Sequence, residues 1–148
     1  MNDAHFMKMA LEEAKEAAGR DEVPIGAVLV RGGAVIARNG NRTRELNDPT
    51  AHAEILVIRE ACQKAGAQRI PDCDLYVTLE PCAQCAGAIS FARIRRLVFG
   101  AADPKGGGVD HGARVFAHPQ CHHRPELFSG IGEETSARLL RDFFAERR

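Results

Sequence analysis

The chain has 148 residues, of which 45% are hydrophobic and 27% are charged, which is typical of a globular protein with a sizeable core. Its 20 basic and 20 acidic residues cancel, so the net charge neither indicates nor excludes a nucleic-acid partner. No apolar run is long enough to span a membrane, and the polar N-terminus lacks the apolar centre of a secretory signal. We therefore expect one domain over residues 1–148 in a soluble, cytoplasmic protein.

Hydrophobic periodicity divides the first half of the chain into two helices and a hairpin. In each of the two helical segments apolar residues recur at helical spacing, and a glycine ends the pattern. Between them lie two strand-like runs, separated by a Gly-Gly pair that is typical of a hairpin turn. The predicted elements are a helix that ends at Gly19, strands over Val23–Arg31 and Ala34–Arg38, and a helix over Ala51–Ala65 that Thr50 caps.

The second half of the chain alternates strands with helices. Proline is favoured in the first turn of a helix, so a helix is predicted to start at Pro81. A Gly-rich loop over Asp103–Gly112 follows the next strand. The alternation predicts an α/β fold in which a mixed five-stranded sheet carries helices on both faces. The predicted elements are strands over Asp74–Leu79, Arg96–Ala101 and Glu126–Ser129, and helices over Pro81–Phe91, His111–Ala117 and Glu133–Arg147.

Two short motifs combine three metal ligands with a nearby carboxylate. The run His52–Glu54 supplies an imidazole and an acid, and the run Pro81–Cys85 supplies two thiols that helical spacing puts on one face. Imidazole and thiolate ligands suit zinc, and three protein ligands leave a position open for water, as in catalytic sites. Glu54 would then take a proton from the activated water and return it to a leaving group. The pattern predicts a hydrolytic zinc enzyme.

Two other interpretations of these residues stay open. A C-x-x-C pair also occurs in redox proteins, although a redox pair would have no need of His52. A structural zinc site would need a fourth ligand, for which Cys73, Cys121, His122 and His123 are candidates, and none of them stands at zinc-finger spacing. Cys121 with the two histidines suggests a second metal cluster, but we interpret the histidines as exposed loop residues. The odd number of cysteines, five, argues against a disulfide framework.

With these motifs the chain resembles the zinc-dependent cytidine/deoxycytidylate deaminase superfamily, whose signature is H-x-E followed by P-C-x-x-C. Longer segments are similar to the bacterial tRNA-specific adenosine deaminase family, namely residues 21–30, 48–54, 75–82, 93–101 and 139–144. The resemblance implies a three-layer α/β/α fold and one zinc ion per subunit, held by His52, Cys82 and Cys85. It also implies that Glu54 shuttles protons and that Asn41 holds the flipped nucleotide.

The resemblance further implies the reaction and the partners. Activated water attacks C6 of an adenine, ammonia leaves, and inosine forms at the wobble position of a tRNA anticodon, with arginine tRNA as the expected substrate. An anticodon loop suits this chemistry because its splayed bases are already unstacked. The family acts as a homodimer, so we expect a homodimer that binds the anticodon stem-loop and no membrane.

The region after Gly100 departs most from the family pattern, because its glycine run and residues 111–123 are less typical of it. Phe143 and Phe144 fit either the wall of an RNA cleft or core packing of the last helix. Two other functions stay open, namely a deaminase of a free base or nucleotide of the guanine or cytosine type, and a non-catalytic zinc module that binds RNA or protein. The basic side chains that could meet phosphates, or simply face solvent, are Arg42, Arg44, Arg93, Arg95, Lys105 and Arg124.

Overall fold

The computed structural model describes residues 2–147, and these form four α-helices and five strands in the predicted order. The helices are α1 (Asp3–Gly19), α2 (Ala53–Ala65), α3 (Ala83–Ala92) and α4 (Glu133–Ala145). The strands are β1 (Gly26–Arg31), β2 (Ala34–Gly40), β3 (Cys73–Leu79), β4 (Arg96–Ala101) and β5 (Glu126–Ser129). No helix within residues 2–147 combines the length and the apolar character that a membrane crossing requires.

The strands form one mixed sheet in the order β2-β1-β3-β4-β5. Strand β1 runs antiparallel to both of its neighbours, β2 and β3, whereas β3, β4 and β5 run parallel to one another. Parallel neighbours need a crossover connection, and α3 supplies the one between β3 and β4. The predicted mixed five-stranded sheet is therefore confirmed, with β5 at its edge.

Helices cover both faces of the sheet because successive strand residues point to opposite sides. On one face, Leu29 and Leu75 lie in a core shared with α2 and α3. On the other face, Val28 and Tyr76 pack against Phe6 of α1, and α4 contacts β4 and α1 on this same side. The result is the expected three-layer α/β/α arrangement.

The prediction that Thr50 caps α2 is wrong. Thr50 donates its backbone N–H and its hydroxyl to the Asp48 carboxylate, at 2.8 and 2.7 Å, so its side chain is used in a local turn. Helix α2 begins at Ala53, two residues later than predicted, with His52 in the N-cap position. The capping oxygen belongs to Asn41, which accepts the Ala53 N–H at 2.9 Å from outside the helix.

The segment between β4 and β5 is less helical than predicted. Within the predicted helix His111–Ala117, only a short 3-10 helix over Val115–Ala117 forms. The reason lies in the backbone, because Gly112 and Arg114 take left-handed conformations with φ of 55° and 44°. A right-handed α-helix cannot pass through such residues.

Candidate active site

The predicted metal ligands meet at the N-termini of two neighbouring helices. His52 occupies the N-cap position of α2, Cys82 occupies that of α3, and Cys85 lies in the first turn of α3. Helix α3 begins at Ala83, two residues after the predicted start at Pro81, so Cys82 precedes the first turn instead of lying in it. The Nδ1 atom of His52 lies 3.5 Å from the Cys82 Sγ atom and 3.4 Å from the Cys85 Sγ atom.

These three donors are spaced for one metal ion. All three ligand atoms lie within 4.8 Å of one another. Within residues 2–147, no other group of three or more His, Cys, Asp or Glu side chains has this geometry. Cys121 and His123 are therefore not part of a second cluster in this region, and the Cys121 thiol donates instead to the His123 carbonyl at 3.0 Å. Cys73 and His122 are also outside the group, so it has three members, which is the number of protein ligands typical of a catalytic zinc site.

The two thiols of the cluster ionise very differently. A hydrogen bond from Cys85 lowers the pKa of Cys82 to about 4, and the neighbouring His52 imidazole favours the thiolate further. The same hydrogen bond, together with burial, raises the pKa of the Cys85 thiol. The hydrogen bond to Cys82 also raises the pKa of His52. A thiolate is the metal-binding form of cysteine, so the surroundings of Cys82 favour the form that can bind a metal ion.

Glu54 lies beside the ligands, in the first turn of α2, and is only 4% exposed. Its Oε1 atom is shielded from solvent and has no hydrogen-bond partner within residues 2–147. Burial raises the pKa of Glu54 to about 7. Buried carboxyl oxygens are normally satisfied, and unsatisfied ones concentrate at functional sites. The orphaned oxygen next to an imidazole and two thiols fits a centre where water or substrate completes the arrangement.

Asn41 reaches the site from the residue after β2. It is 5% exposed, and its side-chain oxygen is used to cap α2. That bond fixes the orientation of the amide, because the oxygen must face the Ala53 N–H and the NH₂ group must face away. Within residues 2–147 the NH₂ group has no acceptor, so it is available to a ligand.

Two buried acids that the motifs did not single out hold the loops around the site. Glu22 is 1% exposed and accepts the backbone N–H groups of Arg44 and Glu45, at 3.2 and 2.7 Å, in the loop that leads to His52. Glu80 is 2% exposed and binds the loop that follows β4. In the sequence neither acid differs from an exposed glutamate, so no motif singles out either of them.

Most of the basic residues considered for phosphate contacts are engaged elsewhere. Five of the six are held by protein groups: Arg42 by Glu45, Arg44 by Asp21, Arg95 by Asp74, and Arg93 and Arg124 by backbone carbonyl groups. The sixth, Lys105, is exposed, and its ammonium group has no ion-pair or hydrogen-bond partner in the described part of the chain. Lys105 is therefore the free cation of this set.

Helix α4 divides its two adjacent aromatic residues between core and surface. Phe143 is 7% exposed and packs beneath the guanidinium of Arg147. Phe144 is 46% exposed and lines a groove of about 380 Å³ together with Leu79 and Asp103, at the ends of β3 and β4. Core packing thus accounts for Phe143, whereas Phe144 is accessible to a ligand.

The chain is similar to deaminases over its whole length. The family model for MafB19-like deaminases matches residues 1–148. The tRNA-specific adenosine deaminase of Agrobacterium fabrum is 66% identical over 144 residues, which cover 97% of this chain and 95% of that protein. The chain therefore belongs to the tRNA-specific adenosine deaminase family, within the deaminases that the family model describes.

Solved structures agree with this assignment. A structure from studies of A-to-I editing by tRNA:A34 deaminases at the wobble position of transfer RNA matches with a TM-score of 0.90 and 66% identity, over 92% of this chain and 99% of that chain. The guanine deaminase of Bacillus subtilis matches with a TM-score of 0.70 and 34% identity, over 99% of this chain and 94% of that chain. The cytidine-deaminase-like α/β fold is thus confirmed, and the protein is a hydrolytic enzyme of the deaminase class.

Proposed function

We propose that this protein converts adenosine to inosine at the wobble position of a tRNA anticodon, in a zinc-dependent hydrolysis with arginine tRNA as substrate. The observation that carries the proposal is the cluster of His52, Cys82 and Cys85 beside the unpaired Glu54 carboxyl group. The high identity to a tRNA-specific adenosine deaminase supports the choice of substrate. The reaction takes place in a single deaminase domain over residues 1–148, in the cytoplasm.

The three clustered side chains are the ligands of one zinc ion per subunit. Thiolates of Cys82 and Cys85 and a neutral imidazole of His52 form a set of sulfur and nitrogen donors that suits zinc. When bound, zinc would supply an acidified water that attacks carbon at neutral pH. Two thiolates balance the charge of the ion, so the acidification is weaker than at an all-histidine site and a neighbouring base is needed.

Glu54 is that base. It is two residues from His52 and keeps its Oε1 atom free of protein partners within residues 2–147. The carboxylate takes one proton from the attacking water and passes it to N1 of the adenine ring, and then moves the second proton from the new hydroxyl group to the amino group on C6, which leaves as ammonia. Because Glu54 is buried, its proton passes to the substrate and is not lost to bulk solvent.

Asn41 binds the substrate through its amide NH₂ group while its oxygen caps α2. Asn41→Ala removes both contacts, so we expect a loss of about 1 kcal/mol in the free energy of unfolding and a weaker substrate complex. Asn41→Asp keeps the capping oxygen and loses the donor, so stability should hold while KM for the stem-loop rises about tenfold. Urea unfolding and steady-state kinetics measure both effects. An aspartate variant with the wild-type KM would contradict the donor role.

Deamination of a free base is the second candidate, because the guanine deaminase of Bacillus subtilis shares the fold at 34% identity. The test is to incubate the zinc-loaded protein with the arginine anticodon stem-loop and, separately, with adenosine, guanine and cytidine, and to follow ammonia release. We expect release from the stem-loop and none from the free compounds. Release from a free compound alone would replace the tRNA assignment with this second candidate.

We also propose that the protein forms a homodimer through the surface around α3. Phe91, near the end of α3, is 76% exposed, more than the other exposed large hydrophobic residues among those described. It lines a largely apolar groove of about 490 Å³ with Val115 and Cys121. An exposed aromatic side chain on an apolar groove is typical of a protein–protein contact, and a homodimer is the assembly that the family resemblance implies.

Phe91→Ser is expected to weaken the dimer by about tenfold or more, because a large apolar side chain near the centre of an interface carries much of its binding energy. Sedimentation velocity across a concentration series measures the dissociation constant. Phe144→Ser is the matched control, since Phe144 is also an exposed phenylalanine but lies on α4. Equal dissociation constants for the Phe91 variant and the wild type would place the interface elsewhere.

A further inference from the structure

Glu80 is a buried carboxylate with no role in the reaction described above. It follows β3 directly, and its side chain is 0% exposed. Its Oε2 atom accepts the backbone N–H groups of residues 109–111, at 3.0–3.1 Å. Its Oε1 atom accepts the Asp103 N–H at 3.0 Å and lies 2.8 Å from the Nδ1 atom of His111. One carboxylate thus binds both ends of residues 103–111, which we name the rim loop.

The rim loop lies directly on the turn that carries Cys82. The Gly108 N–H donates to the Pro81 carbonyl at 2.8 Å, and a Cβ atom on Gly108 would lie 2.5 Å from the Ala83 nitrogen. A Cβ atom on Gly107 would lie 2.3 Å from the Glu80 Oε2 atom. Such distances exclude a side chain at either position without a shift of the backbone. Glycine at these two positions is therefore what permits this close approach.

The rim loop carries the free cation identified above. The Asp103 Oδ1 atom accepts the N–H groups of Lys105 and Gly106, at 3.2 and 2.9 Å, which closes a tight turn. Lys105 is exposed in this turn and has no side-chain partner within residues 2–147. Asp103 also lines the groove with Phe144. Lys105 therefore stands on a fixed turn whose first residue, Asp103, lines that groove.

We propose that Glu80 is a positioning residue for RNA, which anchors the rim loop on the Cys82 turn so that Lys105 meets a phosphate of the bound anticodon loop. This inference rests on the proposed function, because a free base offers no phosphate beside the reacting ring. An anchored loop loses less conformational freedom on binding than a mobile one, so the anchoring strengthens the complex. Glu80 acts on substrate binding through the loop and takes no part in the chemical step.

Glu80→Gln tests the anchor, because an amide nitrogen cannot accept the N–H groups that a carboxylate oxygen accepts. With zinc-loaded protein and the stem-loop, Glu80→Gln and Lys105→Ala should each raise KM about tenfold, with kcat within about threefold of wild type and unchanged zinc content. Each variant should also lower the slope of log KM against log salt by about 0.7, the value for one phosphate contact on a single strand.

A double variant separates anchoring from general damage. If Lys105 works only on an anchored loop, Lys105→Ala in the Glu80→Gln background adds no further rise in KM. His111→Ala removes one contact to Glu80 and should show the same coupling to Lys105 more weakly, so it replaces Glu80→Gln if that variant does not fold. Additive effects, an unchanged KM, or an unchanged salt slope would overturn the inference.

Glu13→Gln is the matched control, because Glu13 is a buried carboxylate of α1 that accepts a hydrogen bond from Arg38 at 2.8 Å. It should change neither KM nor the salt slope, and a change in both would overturn the specific role of Glu80. Wild-type protein that fails to deaminate the stem-loop would contradict the proposed function. An active wild type with an unaffected Glu80→Gln variant would contradict only the role of the rim loop.

Discussion

Glu54→Gln is expected to slow deamination of the stem-loop by about 10²–10⁴-fold, the range that a positioned general acid and base contributes. Glutamine keeps the shape of the side chain but cannot accept and return a proton. The zinc content should equal that of the wild type, because Glu54 is not one of the three clustered ligands. Single-turnover kinetics and mass spectrometry of the metal measure the two quantities.

The same variant should fold at least as stably as the wild type. The Glu54 Oε1 atom has no hydrogen-bond partner within residues 2–147, so its replacement breaks no protein contact of that atom, and a neutral amide is less costly to bury than a charge. Glu13→Gln serves as the control for carboxylate loss away from the site. Retained turnover in Glu54→Gln would disprove the proton shuttle. If the protein were a non-catalytic zinc module, even the wild type would show no deamination.

Cys85→Ser is expected to remove zinc binding and, with it, detectable deamination. Even the loss of a group that only supports a ligand costs 10–100-fold in metal affinity, so loss of a buried ligand should leave below about one tenth of the wild-type zinc content after dialysis. Added zinc should raise the melting temperature of the wild-type apoprotein by mass action, and this rise should be absent in the variant.

Cys121→Ser is the matched control for that experiment. Cys121 is a half-buried cysteine whose thiol donates to the His123 carbonyl, and it lies outside the ligand cluster. Its variant should keep the zinc content and the zinc-dependent rise in melting temperature. Full zinc content in Cys85→Ser, or loss of zinc in Cys121→Ser, would require a different set of ligands.

The cluster of His52, Cys82 and Cys85 was predictable because each half of it is a local pattern at a helix start. His52 stands directly before α2 and the Cys82–Cys85 pair stands at the start of α3. The alternation of strands and helices brings such starts to one edge of a sheet. The helix boundaries were less predictable. The cap of α2 comes from Asn41, which lies 12 residues before Ala53. The capping preferences of the residues next to the helix predict Thr50 instead.

The two loop-holding acids could not be recognised from the sequence. The partners of Glu80 in the rim loop lie between 23 and 31 positions after it in the chain. Only the parallel pairing of β3 with β4 brings them together. In the sequence such an acid looks like any exposed glutamate. The predicted helix over His111–Ala117 failed for a related reason, because its apolar spacing does not reveal the left-handed backbone at Gly112 and Arg114.

Sequencing of arginine tRNA after treatment with the zinc-loaded protein tests the central claim most directly. Inosine is read as guanosine during reverse transcription, so conversion can be scored at every adenosine of the tRNA. We predict conversion at the wobble position alone, and none with Glu54→Gln under the same conditions. An unchanged wobble adenosine, with ammonia released from guanine or cytidine by the same preparation, would contradict the assignment to tRNA.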